Sequence, residues 1–269
     1  MSERLAREME LAKAIVREAG KIIMKFYDTG IYHVTEKANL TPVTSADKGA
    51  NDYIVSKLEE HFPDDGIISE EGSEKMANPR SFWLLDPLDG TVEFVNNRKE
   101  FSIMLGKVED TKAVLGVVYL PAVDRLFYAF EGGGAYLEES GGEPKQIFVS
   151  NTPSLHTSKI LVTRSNVDPK LTDIVKEVPF GSVKGMGSLG LKLCLVANGE
   201  YDACIRTHTV HHWGVCASDI ILREAKGKIT SFYDKPLEYS VTEPIIGGGV
   251  VGSNSINHQD VISRLSKFI

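Results

Sequence analysis

The sequence predicts a two-part fold, an α+β first half followed by an alternating α/β second half. Three observations predict it. Apolar residues recur at helical steps near the N-terminus, then change to short β-rich runs separated by turn residues over roughly 66–140, and after about 150 apolar strands and apolar helices alternate.

The first helix is read from Leu11, Ile15, Ala19, Ile22 and Phe26, which recur at steps of three and four. A second starts near Ser45, with Ala50, Ile54, Leu58 and Phe62 forming an i, i+4 stripe. The runs "GIISEE", "SFWLLD", "SIMLGKV", "VLGVVYLP" and "RLFYAFE" follow as strands, and "EGGGAYLEESGGEP" as a hairpin and loop. In the second half, "KILVTRS" is a strand and a helix starts at Asp168. "SLGLKLCLVANG" is a helix closed by Gly199. "YDACIR" is a strand, the helix of "WGVCASDIILREAKG" runs over 214–226, "PIIGGGVVGSN" is a strand and "HQDVISRLSKFI" a last helix. The Gly-rich loop at 140–152 divides an α+β domain, 1–148, from an α/β domain, 149–269.

The chain of 269 residues is 42% hydrophobic, enough for a substantial core, and its net charge of −7 argues against nonspecific nucleic-acid binding. Cys194, Cys204 and Cys216 are widely spaced among apolar residues and read as buried, reduced thiols, which fits a cytoplasmic location. The N-terminus mixes charges of both signs without an apolar stretch, and no run approaches a membrane span. Gly247, Gly249 and Gly252 fit a dinucleotide fingerprint, but too little chain follows for the required helix and acid. A glycine-rich strand packed closely on a neighbour is the better reading.

The chemistry concentrates in "LLDPLDGTVEF", residues 84–94. A strand delivers Asp86 to its C-terminal end, Pro87 bends the chain, and Asp89 returns beside Asp86. Two carboxylates this close repel unless cations lie between them, and Mg²⁺ takes carboxylate and carbonyl oxygens, here with the Leu88 carbonyl between the acids. Gly90 lets a ligand approach the backbone, and Thr91 opens a short helix whose free amides favour phosphate. Metal and phosphate sites side by side suit metal-assisted phosphoester hydrolysis. Taken alone, the stretch also fits a surface turn with helix-capping acids. "ISEEG" adds Glu70 at the end of another strand, and "TPVTSAD" places Asp47 at a helix start.

With these motifs in view, the chain resembles the inositol monophosphatase superfamily of Mg²⁺-dependent, lithium-sensitive phosphatases over essentially its whole length. "DPLDGTVEF", with Glu93 where inositol enzymes usually carry Asn, is closer to the 3'(2'),5'-bisphosphate nucleotidase branch, as are "TPVTSADKGAN", "VTRSN" and "GSLGLKLCLVANGEYDACIR". The resemblance implies a sugar-phosphatase-type sandwich of alternating α-β-α-β-α layers. It implies that Glu70, Asp86 and the Leu88 carbonyl hold one metal, and Asp86 with Asp89 a second. Thr91, oriented by Asp47, would position the attacking water, and the Gly90 and Thr91 amides the scissile phosphate. Lys192 and Arg206 would contact the phosphate that is not cleaved, although either also reads as a solvated surface charge. Ser188 would add a hydrogen bond to substrate or cap a helix.

The expected partner is a small phosphorylated metabolite, with no nucleic-acid polymer and no membrane, and a homodimer is left open. One position departs from the pattern. Trp213 is in place, but Gly214 stands where the superfamily carries a metal-ligand Asp. Asp219, five residues on, lies about 140° around the helix and cannot replace it. His208, His211 and His212 stand nearby as ordinary histidines or as ligands of a softer metal. Three functions follow: a Mg²⁺ phosphatase converting 3'-phosphoadenosine 5'-phosphate to AMP, an inositol or sugar monophosphatase, or a catalytically weak relative that binds phosphometabolites.

Overall fold

The computed structural model describes residues 2–36, 42–72, 74–75, 78–165 and 167–268. Thr41, Asn166 and Ile269, which belong to stretches quoted above, lie outside them. In chain order the elements are α1 (Ser2–Thr29), β1 (Val34–Glu36), β2 (Pro42–Thr44), α2 (Ser45–His61), β3 (Gly66–Ser69), β4 (Glu74–Lys75), β5 (Ser81–Asp89), α3 (Thr91–Val95), β6 (Ser102–Glu109), β7 (Lys112–Leu120), β8 (Arg125–Phe130), β9 (Gly134–Glu139) and β10 (Lys145–Gln146). They continue as β11 (Lys159–Thr163), α4 (Pro169–Glu177), β12 (Ser182–Met186), α5 (Leu189–Ala197), β13 (Ala203–Arg206), β14 (Val210–His211), α6 (Cys216–Glu224), β15 (Lys228–Ser231), β16 (Ile245–Ile246), β17 (Val250–Ser253) and α7 (His258–Leu265).

Two sheets dominate. Among the described residues the larger runs β10-β9-β8-β7-β6-β5-β3-β4, with β3 and β5 parallel and its other pairs antiparallel. The smaller runs β12-β11-β13-β17-β15. Side-chain alternation sorts the core into layers. Trp83 and Leu85 of β5 and Ile103 and Leu105 of β6 face α1 and α2, packing with Met9, Val16, Ile54 and Leu58. Phe82, Leu84 and Met104 face the opposite way, toward α5 and α6. Leu161 of β11 and Cys204 of β13 reach the same central layer from the smaller sheet, while Ile160, Val162, Ala203 and Ile205 face α4 and α7. The order is helix, sheet, helix, sheet, helix. All nine residues of α5 are buried, as a helix between two sheets requires.

Glycines set one close approach. A Cβ on Gly116 would lie 2.2 Å from the Ala217 carbonyl oxygen, so α6 rests directly on the backbone of β7. No described helix is long and apolar enough to cross a membrane.

Some expectations shift. On α1, Leu11 is exposed and the buried face runs through Leu5, Met9, Ala12, Val16, Ala19 and Ile23, one position round from the predicted stripe on its outer side. The 245–253 stretch is two strands, because left-handed Gly248 and Gly249 turn the chain between them. A Cβ on Gly249 would meet the Arg206 carbonyl oxygen at 1.9 Å, which accounts for the glycine run as close packing. Finally, α6 begins at Cys216, after a 3₁₀ turn at His212–Gly214, rather than at 214.

Candidate active site

Parallel pairing of β3 and β5 brings the C-terminal ends of both strands to one edge of the sheet, carrying Glu70 and Asp86 there together. The Glu70 amide donates to the Leu85 carbonyl at 3.0 Å. In a flat strand Asp86 and Asp89, three residues apart, would point to opposite faces. They do not, because the pairing with β6 slips: Asp86 faces Met104 while Asp89 faces Ser102, three steps against two. Pro87, which cannot donate to a ladder, sits in this bulge. The extra residue turns Asp89 back to the side of Asp86.

Asp86 is buried and touches the Glu70 carboxyl through a hydrogen bond, and its own Oδ1 accepts from the Leu88 amide at 3.1 Å. Burial, then the charges of Glu70 and Asp89, push its carboxyl well above the ordinary range. Asp89 is likewise raised by burial, but its Oδ2 accepts from the Ser188 hydroxyl at 2.6 Å and the Gly190 amide at 2.8 Å. Asp89 therefore leans toward the N-terminal end of α5, where two donors await a carboxylate. Among the described residues no three acid, imidazole or thiol groups are disposed to hold a metal ion. The expected convergence of three carboxylates is thus a contacting pair with the third engaged beside it.

Gly90 is left-handed at φ 102° and hands the chain into α3 at Thr91. The Thr91 hydroxyl lies 3.1 Å from both Asp47 Oδ1 and the Leu88 carbonyl. Asp47 is fixed from its other side by a capping box with Thr44, and burial pushes its carboxyl up to about 6.

The opposite wall comes from the second half. The cleft, about 370 Å³, includes Glu70, Asp86, Thr91, Lys192, Arg206 and Gly214 in its lining. Lys192 is 2% exposed, so it is no surface charge. Its ammonium donates to the Met186, Gly187 and Ser188 carbonyls at 3.1, 3.1 and 2.9 Å, and burial lowers its pKa. Ser188 caps α5, accepting from the Leu191 amide at 3.0 Å while donating to Asp89. Arg206 donates from Nη1 to Thr163 Oγ1 at 3.3 Å, and its buried Nε has no partner among the described residues.

The histidines disperse. His208 Nε2 lies 3.5 Å from Asp168, and His212 is buried against the Ser240 backbone with its pKa pushed down to about 4 by desolvation. His211 stacks flat on Trp213 at 4.4 Å and 4°, and that pair lines the cleft. Asp219 is buried against Arg223 and Tyr239 instead of facing the cleft. Gly214 does face it, and a Cβ there would meet nothing closer than Val210 Cγ1 at 3.9 Å. Thr163, Ser165, His211 and the Glu93–Arg164 pair also stand at the site. Only the position of "VTRS" at the end of an apolar strand hinted at the first two.

Similarity to known proteins runs over nearly the whole chain. The model of the inositol monophosphatase family matches residues 5–268. The 3'(2'),5'-bisphosphate nucleotidase CysQ of Escherichia coli (strain K12) is 34% identical over 240 residues, covering 87% of this chain and 95% of that one. The Thermotoga maritima IMPase superimposes with a TM-score of 0.83 at 28% identity, covering 99% and 98% of the two chains. CysQ of Bacteroides thetaiotaomicron, described as a bacterial member of the inositol monophosphatase family, gives 0.76 at 26%, covering 92% and 97%.

Proposed function

The chain belongs to the inositol monophosphatase family and is a phosphatase, and we propose that it hydrolyses small nucleotides with two phosphates, taking 3'-phosphoadenosine 5'-phosphate to AMP. One observation carries the reading. A single cleft holds the acid pair Glu70–Asp86 and the Thr91 hydroxyl on one side, and on the other the guanidinium-bearing Arg206. The flat His211–Trp213 pair in the same lining suits a planar base. The similarity to CysQ enzymes points the same way.

The donors fit a hard divalent cation. They are oxygens only, and the raised Asp86 shares a hydrogen bond with Glu70 where a cation would favour the ionised Asp86. Glu70, Asp86, the Leu88 carbonyl and Asp89 are the residues that would hold Mg²⁺. Bound there, Mg²⁺ lowers the pKa of water and neutralises charge on the phosphoryl oxygens.

The chain's own groups do the rest. Asp47 Oδ1, ionised above a pH of about 6, accepts the Thr91 proton and leaves a lone pair of Thr91 Oγ1 to take a proton from the attacking water. The water oxygen forms the new P–O bond, the bond to the ribose 3' oxygen breaks, and that oxygen takes a proton from solvent. The Gly90 and Thr91 amides face the scissile phosphate, and Arg206, with Lys192 beneath it, the phosphate that stays. Ser188 acts through Asp89.

Gly214 favours a second reading, a slow enzyme that chiefly binds phosphometabolites, because it leaves open space where a ligand side chain would fit. The test is phosphate release with Mg²⁺ across bisphosphonucleotides, inositol phosphates and sugar phosphates. The proposal expects the bisphosphonucleotides to lead. Faster release from inositol or sugar phosphates overturns it, and tight nucleotide binding without release selects the second reading.

A further inference from the structure

We propose that Arg164 is a positioning residue, a strut that fixes the 86–95 segment against the 185–190 segment and so sets the alignment of the cleft's two walls. Arg164 follows β11 directly, and its amide donates to the Met186 carbonyl at 3.2 Å. Its side chain leaves the smaller sheet for the larger. Nη1 donates to Glu93 Oε2 at 2.9 Å and Glu100 Oε2 at 2.6 Å, and Nη2 to Glu100 Oε1 at 2.7 Å and the Gly185 carbonyl at 3.2 Å. The fork is bidentate on Glu100, a geometry that a lysine cannot reproduce.

The carboxylates are held from other directions too. Glu93, 1% exposed, accepts from Arg98 at 2.9 Å and from the Ser165 hydroxyl at 3.1 Å. Glu100 Oε2 accepts the Gly187 amide at 2.8 Å. Gly187 is pressed so closely on this cluster that a Cβ would lie 2.1 Å from Glu93 Cγ. Four chain segments therefore meet at one guanidinium: α3, the approach to β6, the end of β11 and the end of β12.

Placement gives the cluster its meaning. Glu93 is two residues beyond Thr91, and Gly187 is the residue before Ser188, which holds Asp89. A shift at Arg164 displaces both walls relative to each other. Two arginines also balance two glutamates, so the cluster adds no net charge to repel an anionic substrate. Glu93, which sets this motif apart from the inositol enzymes, then serves as an anchor whose oxygens are already engaged.

The activity arm of the test rests on the function proposed above, and a second arm does not. Arg164→Gln, Arg164→Lys and Gly187→Ala are compared with wild type for kcat, KM and backbone amide exchange. The strut predicts that kcat falls roughly 10- to 100-fold while KM rises by less than about threefold, as for a misalignment near 1 Å. Arg164→Lys should recover little, and amides at 86–95 and 185–190 should exchange faster while those of β6 and β7 do not. A kcat within about twofold of wild type in Arg164→Gln, full rescue by lysine, or unchanged exchange in both segments overturns the proposal. If Arg164→Gln fails to fold, Arg164→Lys is judged by the same kinetic and exchange limits. If wild type releases no phosphate, the proposed function fails and the exchange arm alone decides the strut.

Discussion

Replacing Gly214 by Asp probes the position at which the family resemblance implies a metal-ligand carboxylate. The structure removes the steric objection: among the described residues a Cβ there meets only Val210 Cγ1 at 3.9 Å, and Gly214 is not among the left-handed glycines. Loss of glycine's freedom in the unfolded chain should stabilise by about 0.4–1 kcal/mol. Against this, two carboxylates at a separation of about 6–8 Å repel by about 2–3 kcal/mol at an effective dielectric near 20. The balance without divalent cation is a loss of about 1–2.5 kcal/mol, or roughly 2–10 °C in Tm for a chain of this size. With Mg²⁺ the sign should reverse, because the same charge becomes a ligand, and an ion held about 100-fold tighter is worth about 2.7 kcal/mol at saturation, more than that loss. The assay is phosphate release against Mg²⁺ concentration for both proteins, with melting curves with and without the ion. The variant should melt lower without Mg²⁺, higher with it, and reach half-maximal rate at less Mg²⁺. If its melting responds to Mg²⁺ no more than wild type and its rate is no higher, Gly214 is not a missing ligand position.

Three further outcomes follow from the same geometry. Asp86→Asn should abolish Mg²⁺-dependent release, since no neighbour supplies a replacement charge on the Glu70 side; activity near wild type would place the chemistry elsewhere. Arg206→Ala should weaken bisphosphate substrates about 10- to 150-fold more than monophosphates, whereas Lys192→Ala should also lower Tm because three carbonyls lose their donor; equal losses on both substrate classes for Arg206→Ala contradict the role given to it. The Asp47 carboxyl is raised to about 6, so it is ionised above that pH and protonated below it. The log of kcat/KM against pH should fall below about 6, and Asp47→Asn should be slow and lack that limb; an Asn variant with the wild-type profile removes Asp47 from the proton path.

How much of this was legible in the sequence depended on whether the determining contacts were local. The acid motif was legible because strand, proline, bulge and short helix follow one another within ten residues. The helix stripes were legible in period, but α1 shows the limit: Leu11 and Met9 are equally apolar, and only the sheet beneath decides which is buried. The start of α6 was misplaced because Val215 provides no side-chain cap, leaving no local signal to mark the boundary. The strand Ser182–Met186 passed unnoticed because it is polar, glycine-containing and largely uncovered. Lys192 gave no sign of burial, since its partners are backbone carbonyls that carry no residue-type signature. His211 and His212 are adjacent in sequence, yet one stacks on Trp213 in the cleft and the other packs under Ser240 and Tyr239, so adjacency did not make them a ligand set.

The central claim is that this cleft cleaves one phosphate while a cationic wall holds another. The most direct measurement is kcat/KM with saturating Mg²⁺ for adenosine 3',5'-bisphosphate and for adenosine 3'-monophosphate, which differ only in the phosphate that Arg206 is proposed to hold. A charge-assisted contact of about 1.5–3 kcal/mol predicts a preference for the bisphosphate of at least roughly tenfold. Equal values for the two, or no phosphate released from the bisphosphate, would contradict it.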